Sequence, residues 1–323
     1  MQSEVQKAVS RLQKADFVVV GSHTQPDGDA IGSTLALTLA LRSIGIEAVP
    51  TLADGCDVPS TYTFLPGIAL IVPFSELEDV DVFVALDTAS FSRLGGSSIL
   101  AESAASVIVV DHHADNPGFG SINVIDPSKA ATAHLVWELL GPLGVQPTPE
   151  IALCCYTGLV TDTGRFSYSN TTAEALRCAA EMIESGVDPA ETARLVYQEL
   201  SPAYLALEAR VLARLTLANS GRVAWSWCTE RDFTETGATL SEIEGLPDAV
   251  RRIQGVDVVL MLRVLEGEIR GNLRSKTGFD VSSVARVFGG GGHVPAAGFT
   301  YNGSMQTLLD RLMPMLPGGD SAS

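Results

Sequence analysis

Residues 16–30 read Asp-Phe-Val-Val-Val-Gly-Ser-His-Thr-Gln-Pro-Asp-Gly-Asp-Ala. Asp16 to Gly21 is a short apolar run rich in β-branched residues, the pattern of a buried strand. Pro26 and Gly28 then shape a tight turn, and Ala30 to Ser43 continues with helical spacing. Strand, turn and helix in this order open an α/β unit. The alternation goes on: Ile46 to Leu52, Val82 to Leu86 and Ser106 to Val110 read as strands, and Ala131 to Leu140, Ile151 to Val160, Thr172 to Glu184 and Pro189 to Glu199 as helices. This predicts a doubly wound, mostly parallel sheet, in which ligands sit just past the carboxyl ends of the strands.

The pattern changes after Ser201-Pro202. Ala203 to Ala218 reads as a helix, Arg222–Trp227, Asp257–Val264 and Glu268–Leu273 as strands, and the regions near Val281–Phe288 and Met305–Leu312 as helices. A second, smaller α/β domain with a mixed sheet is expected. The reading places the first domain at residues 1–195, a linker at 196–205, the second domain at 206–316 and a disordered tail at 317–323. No internal repeat or low-complexity stretch interrupts this.

A length of 323 residues accommodates two domains. With 46% hydrophobic and 18% charged residues the chain reads as globular, which argues against overall disorder. No apolar run approaches the ~20 residues of a membrane helix. The opening residues lack the basic, apolar and small-residue segments of a signal peptide. A cytoplasmic protein with no membrane partner is expected. Lys and Arg number 21 against 38 Asp and Glu, a net charge of −17. Such a chain binds duplex DNA poorly, because that affinity comes from many Lys and Arg contacts to phosphate. A phosphate substrate needs a local positive site, and bound metal ions supply one. The cysteines (56, 154, 155, 178 and 228) form no CxxC pair and are odd in number, which argues for buried thiols rather than disulfides or zinc.

Four of the five histidines fall in clusters rich in Asp or Gly, each at a predicted element end. His23, Asp27 and Asp29 surround the first turn. One imidazole with carboxylates suits Mn²⁺ or a similar ion, although an Asp at this position also serves as a helix N-cap. Asp87 ends an apolar strand, where a carboxylate is costly without a partner. Asp111, His112 and His113 end the next strand, and a ligand histidine needs an orienting partner. Asp162 closes an apolar helix, against the helix dipole. In the second domain Arg274 and Ser275 precede Gly289-Gly290-Gly291-Gly292-His293, whose glycines let backbone N–H groups approach an anion. His23, Asp27, Asp29, Asp87, His112 and Asp162 together suit two divalent ions bridged by one carboxylate, as in phosphoester hydrolysis.

These clusters, in this order, resemble the DHH phosphoesterase superfamily. The matching stretches are HTQPDGDAIGS (23–33), ALDTAS (85–90), VVDHHADN (109–116) and LVTDTGRFSYSNTT (159–172). LRSKTGFDVSSVARVFGGGGHVPAAGF (273–299) resembles the DHHA1 domain that accompanies it. The length is similar to that of the nanoRNase and pAp-phosphatase group. The resemblance implies one metal on His23, Asp27 and Asp87, and another on Asp29, Asp87, His112 and Asp162, with Asp87 bridging. It implies that Asp111 orients a ligand histidine and that His113 contacts the scissile phosphate. Arg274, Ser275, Gly290, Gly291, Gly292 and His293 would bind the rest of the substrate. It further implies Mn²⁺ in preference to Mg²⁺, a homodimer, and hydrolysis of short oligoribonucleotides and of 3′-phosphoadenosine 5′-phosphate; some relatives act on cyclic di-AMP.

Three other functions fit parts of the pattern. A pyrophosphatase or polyphosphatase uses the same metal site but lacks the GGGGH stretch. A RecJ-like exonuclease wants a longer chain with a basic or aromatic track. A non-catalytic nucleotide sensor would have lost metal ligands. Elsewhere, His134 reads as structural, Trp225 and Trp227 as packing on one strand face, and Arg251-Arg252 as a solvated pair. Arg165 is expected at a phosphate or a carboxylate. Asn170 and Thr171 belong to the resemblance without a readable role.

Overall fold

The structure is a computed structural model that describes residues 2–53, 58–265 and 267–319. Cys56 and residues 320–323 of the expected tail lie outside the described residues. The chain divides between Glu199 and Leu200 into two compact units.

The first unit carries five parallel strands in the order β2-β1-β3-β4-β5: β1 (Val18–Gly21), β2 (Ala48–Thr51), β3 (Val82–Leu86), β4 (Ser106–Asp111) and β5 (Ile122–Ile125). β1, β3 and the end of β4 are buried on both faces, which is why they read as unbroken apolar runs rather than alternating ones. The helices are α1 (Gln2–Leu12), α2 (Gly28–Ser43), α3 (Ser98–Ser103), α4 (Thr132–Leu143), α5 (Pro149–Asp162), α6 (Ala173–Glu184) and α7 (Pro189–Tyr197). Leu35, Leu41, Val136 and Leu159 from α2, α4 and α5 pack with Val18, Val84 and Val110 on one sheet face. Val19, Phe83 and Val109 face the other side, toward Leu94, Leu100 and Ala101. The strand order reverses between β1 and β3, and that crevice is where open α/β sheets bind ligands. β5, absent from the reading of the sequence, is four residues long and pairs with β4.

The second unit holds α8 (Pro202–Ala213), β6 (Thr216–Ala218), β7 (Val223–Thr229), α9 (Glu230–Thr236), α10 (Leu246–Arg251), β8 (Val258–Leu265), β9 (Glu268–Ser275), α11 (Val281–Val287), β10 (Gly291–His293), β11 (Ala296–Asn302) and α12 (Met305–Leu312). Its mixed sheet runs β10-β11-β9-β8-β7-β6, with only β7 and β8 parallel.

Three readings change here. The helix predicted to Ala218 stops at Ala213, because Thr216–Ala218 pairs with β7 as an edge strand. The glycine run, read above only for its backbone N–H groups, forms regular structure: Gly291–His293 is a strand on β11. A Cβ at Gly290 would lie 2.0 Å from the Gly298 oxygen, and one at Gly292 (φ +132°) 2.6 Å from the Ala296 oxygen. Close backbone packing therefore demands glycine at both. Residues 317–319 form a turn closed by Gly319 N–H donating to the Leu316 oxygen. Trp225 and Trp227 stack, ring centroids 5.1 Å apart, against the core. Cys154, Cys155, Cys178 and Cys228 are buried free thiols.

Candidate metal centre

His23, Asp27, Asp29, Asp87 and His112 follow the carboxyl ends of β1, β3 and β4, and Asp162 ends α5. His23 Nδ1 donates to the Thr24 oxygen at 2.8 Å, which turns Nε2 to within 3.4 Å of Asp87 Oδ2 and 4.0 Å of Asp27 Oδ1. His112 Nδ1 donates to the Lys129 oxygen at 3.3 Å, and its Nε2 lies 3.6 Å from Asp87, 3.5 Å from Asp162 and 3.9 Å from Asp29. A carbonyl partner on Nδ1 fixes the tautomer, so each Nε2 presents its lone pair to the carboxylates, as a metal ligand must. His23, Asp27 and Asp87 offer three atoms within 4.8 Å of one another, and so do Asp29, Asp87 and His112. Asp87 belongs to both sets and adopts φ +52°, a costly backbone for a non-glycine residue.

Two aspartates also do structural work. Asp27 caps α2, accepting from Asp29 N and Ala30 N at 3.1 Å each. Asp29 reaches across to α4, whose own N-cap residue Ala131 offers no side-chain acceptor, and takes the amides of Thr132 (2.6 Å) and Ala133 (2.8 Å). Thr132 Oγ1 in turn donates to Asp87 at 3.1 Å.

Asp111 holds three partners at the end of β4. It accepts from His113 Nδ1 at 2.7 Å and from the His112 main-chain amide at 2.9 Å, and its other oxygen accepts from Asn116 Nδ2 at 2.6 Å. It therefore orients His113 and the main chain of the ligand.

The electrostatics show which group this cluster fits. Asp29, Asp87, Asp111 and His112 are each no more than 5% exposed. Burial first, then Asp87 and Asp162, push the Asp29 carboxyl well above its usual range. Burial, then Asp87 and Asp27, raise Asp162 to about 6 against the pull of His112. For Asp87 burial is outweighed by His23, His113 and His112, and its pKa falls. For His113 burial is outweighed by Asp111 and Asp87, which lift it to about 9. Adjacent carboxylates whose pKa values split apart cannot all ionise together without a cation. Oxygen donors with two imidazoles suit a hard or borderline divalent ion, so the donor set fits one.

Several contributors were not read from the sequence. Thr132 and the Lys129 carbonyl hold the ligands, Asn116 holds Asp111, and Asn170 Nδ2 donates to the Asp162 and Ala130 oxygens. Buried Lys129 is clamped by Glu138 and Glu174 at 2.5 and 2.7 Å. His134 is buried with Nε2 3.6 Å from Glu138. The Arg165 guanidinium lies 4.5 Å over the Tyr197 ring. Arg252 pairs with Glu208, whereas Arg251 is half-buried rather than solvated. In the second unit Arg274 and Ser275 occupy opposite sheet faces, and Ser275 is buried on the covered one.

The model of the DHH family N-terminal domain matches residues 17–159, and that of the DHHA1 domain matches residues 221–313. The bifunctional oligoribonuclease and PAP phosphatase NrnA of Thermus thermophilus is 39% identical over 288 residues, covering 88% of this chain and 84% of that protein. The chain belongs to the DHH family. A second DHH relative, the enzyme of the same name from Bacillus subtilis, is 28% identical and covers 92% of each chain. The crystal structure of an exopolyphosphatase-related protein from Bacteroides fragilis superposes with a TM-score of 0.86 at 26% identity, over 96% of this chain and 94% of that one. The strand-end positions of the histidines and aspartates are thus set within a DHH domain of 143 matched residues (17 to 159), apart from Asp162 just beyond it.

Proposed function

We propose that the chain is a divalent-metal-dependent phosphodiesterase that hydrolyses short oligoribonucleotides, such as pApA, to 5′-mononucleotides and removes the 3′-phosphate of 3′-phosphoadenosine 5′-phosphate. The observation that carries this is the cluster of carboxylates and imidazoles around Asp87 at the switch point of the sheet, in a chain 39% identical to an oligoribonuclease and PAP phosphatase. His23, Asp27 and Asp87 would hold one ion; Asp29, Asp87, His112 and Asp162 the other. Two such ions supply an activated water at neutral pH and offset charge developing on the phosphoryl oxygens. Mn²⁺ is preferred over Mg²⁺ in this reading because two imidazoles join the carboxylates.

The chain's own groups do the rest. The Thr24 and Lys129 carbonyls keep the ligand histidines in one tautomer. Asp111 accepts from His113 Nδ1, and a protonated His113 would donate through Nε2 to a phosphate oxygen. Arg274 and His293 offer charge-assisted donors to a further phosphate. The family resemblance adds a homodimer, a cytoplasmic location and activity on cyclic di-AMP to this reading. Among the described residues no helix is long and apolar enough to cross a membrane.

The test is incubation with 5′-phosphorylated diadenylate, with 3′-phosphoadenosine 5′-phosphate and with polyphosphate, each with Mn²⁺ and with EDTA. Metal-dependent AMP from the first two is expected, and an Asp87→Asn variant should yield none. Orthophosphate from polyphosphate alone would overturn the reading.

A further inference from the structure

The second unit contains an unusual pairing. Arg263 on β8 and Arg270 on β9 stand directly opposite each other in an antiparallel ladder. Like charges so placed destabilise a sheet, and this chain has few cations to spare. Glu268 makes its ion pair with Arg270, at 3.1 Å, and acts on Arg263 only through its charge. Arg263, half-buried, has no hydrogen-bond or ion-pair partner among the described residues; burial first, then Arg270, lowers its pKa.

The register shows what surrounds it. Arg270, Asn272 and Arg274 alternate onto one face of β9. On β11 the same face carries Thr300, Gly298 and Ala296, and on β10 Gly291 and His293. α8 and α10 pack over the β7–β8 part of this face through Val259 and Met261, while α11 and α12 pack on the opposite face. At Gly298 an added Cβ would meet only the Gly271 oxygen, at 3.6 Å. The β9–β11–β10 part is therefore a low floor of small residues edged by cations. Arg270 to Arg274 spans about 13 Å, with Asn272 midway at about 7 Å, the scale on which phosphates repeat along an extended strand.

We propose that this face binds successive phosphates of a single-stranded oligonucleotide, with Arg263 and Arg270 taking a phosphate beyond those held by Arg274 and His293. The inference rests on the oligonucleotide reading above and deepens it: the second unit holds chains longer than a dinucleotide. Arginine is suited because its planar fork pairs two phosphate oxygens at once. A phosphate between Arg263 and Arg270 would also remove their repulsion.

The test is fluorescence anisotropy on the full-length Mn²⁺-loaded protein. The probe is a cleavage-resistant phosphorothioate pentaadenylate labelled at its 3′ end, titrated across a series of salt concentrations. The Arg263→Gln/Arg270→Gln pair should raise Kd at least tenfold. It should also flatten the slope of log Kd against log salt by about 1.4, two contacts at about 0.7 each. Competition by 3′-phosphoadenosine 5′-phosphate should stay within twofold of the parent chain. Losing the repulsion should leave Tm unchanged or raised, and the Arg263→Lys/Arg270→Lys pair should keep most of the salt slope. Unchanged pentaadenylate binding overturns the proposal, as does equal loss for both ligands. A binding loss that follows a Tm loss and is not rescued by the Lys pair overturns it too. Displacement by tripolyphosphate as effective as by unlabelled pentaadenylate would make the ligand a polyphosphate and refute the oligonucleotide. Binding is read without turnover. Arginine-dependent binding in a protein that does not cleave pApA would keep this face and remove the activity reading.

Discussion

Gly158→Ala should damage the metal centre from within a helix. Gly158 lies in α5 at its crossing with α2. A Cβ there would sit 2.6 Å from the Ala133 Cβ and 2.7 Å from Asp29 Oδ1. Ordinary contact begins at 3.4 Å, so the carboxylate or the helix must yield by about 0.7 Å (3.4 − 2.7). Asp29 has little room, since the Thr132 and Ala133 amides hold it at 2.6 and 2.8 Å. Overpacking of this kind costs about 1–3 kcal/mol, and the better helix propensity of alanine returns about 1 kcal/mol. The net loss of up to about 2 kcal/mol lowers Tm by up to about 6 °C. The effect on cation affinity should be larger, about 10–100-fold, as for other displacements of ligand-orienting groups. Isothermal titration with Mn²⁺ and a thermal melt in EDTA measure the two separately. Gly141→Ala in α4, where the Cβ meets nothing within 4 Å, is the control and should leave affinity unchanged. Mn²⁺ affinity within twofold of the parent chain in a folded Gly158→Ala protein would refute the reasoning.

Asp111→Asn should bind Mn²⁺ nearly normally but lose turnover about 10²-fold or more, because His113 then loses its anionic partner; calorimetry and product assay separate the two. Lys129→Met leaves Glu138 and Glu174 able to reach water, so its stability cost is about 1–2 kcal/mol, read by urea unfolding. In EDTA the raised Asp29 and Asp162 carboxyls favour the protonated fold, so the metal-free protein should gain stability as pH falls from 7 to 5; the Mn²⁺-loaded protein should not, and parallel melts compare them. Asp232 is 1% exposed and accepts from Arg214 at 2.6 and 2.7 Å, a pairing that holds its pKa below the usual range. Its contribution is present above the unfolded pKa of about 3.9 and lost as pH falls through the lower folded value. Asp232→Asn should therefore cost about 2–3 kcal/mol at pH 7 and show a shallower acid dependence of Tm than the parent chain.

Chain order alone carried the main features of the first unit. Buried parallel strands must be apolar along their whole length, so DFVVVG, VFVAL and SVIVV stood out, and the polar residues ending them marked the ligand edge. All six expected ligand side chains meet around Asp87 because each lies within a few residues of an element end. Weak local signals failed where pairing decided the outcome. Thr216–Ala218 continues a helical pattern and becomes a strand only because β7 offers it a ladder. The glycine run has no side chains to declare a period, and it becomes a strand because β11 approaches so closely. The sequence did not show that α4 lacks a capping side chain at Ala131, nor that Asp29, about 100 residues earlier, supplies the acceptor. Likewise the sequence spaces Arg263 and Arg270 seven residues apart, and only the hairpin register sets them face to face. Hydrophobic period and turn chemistry are local properties, so the sequence by itself determined the elements and their polar ends. Tautomers, borrowed caps, close glycine contacts and opposed charges arise between segments distant in sequence, and only the tertiary structure decided them.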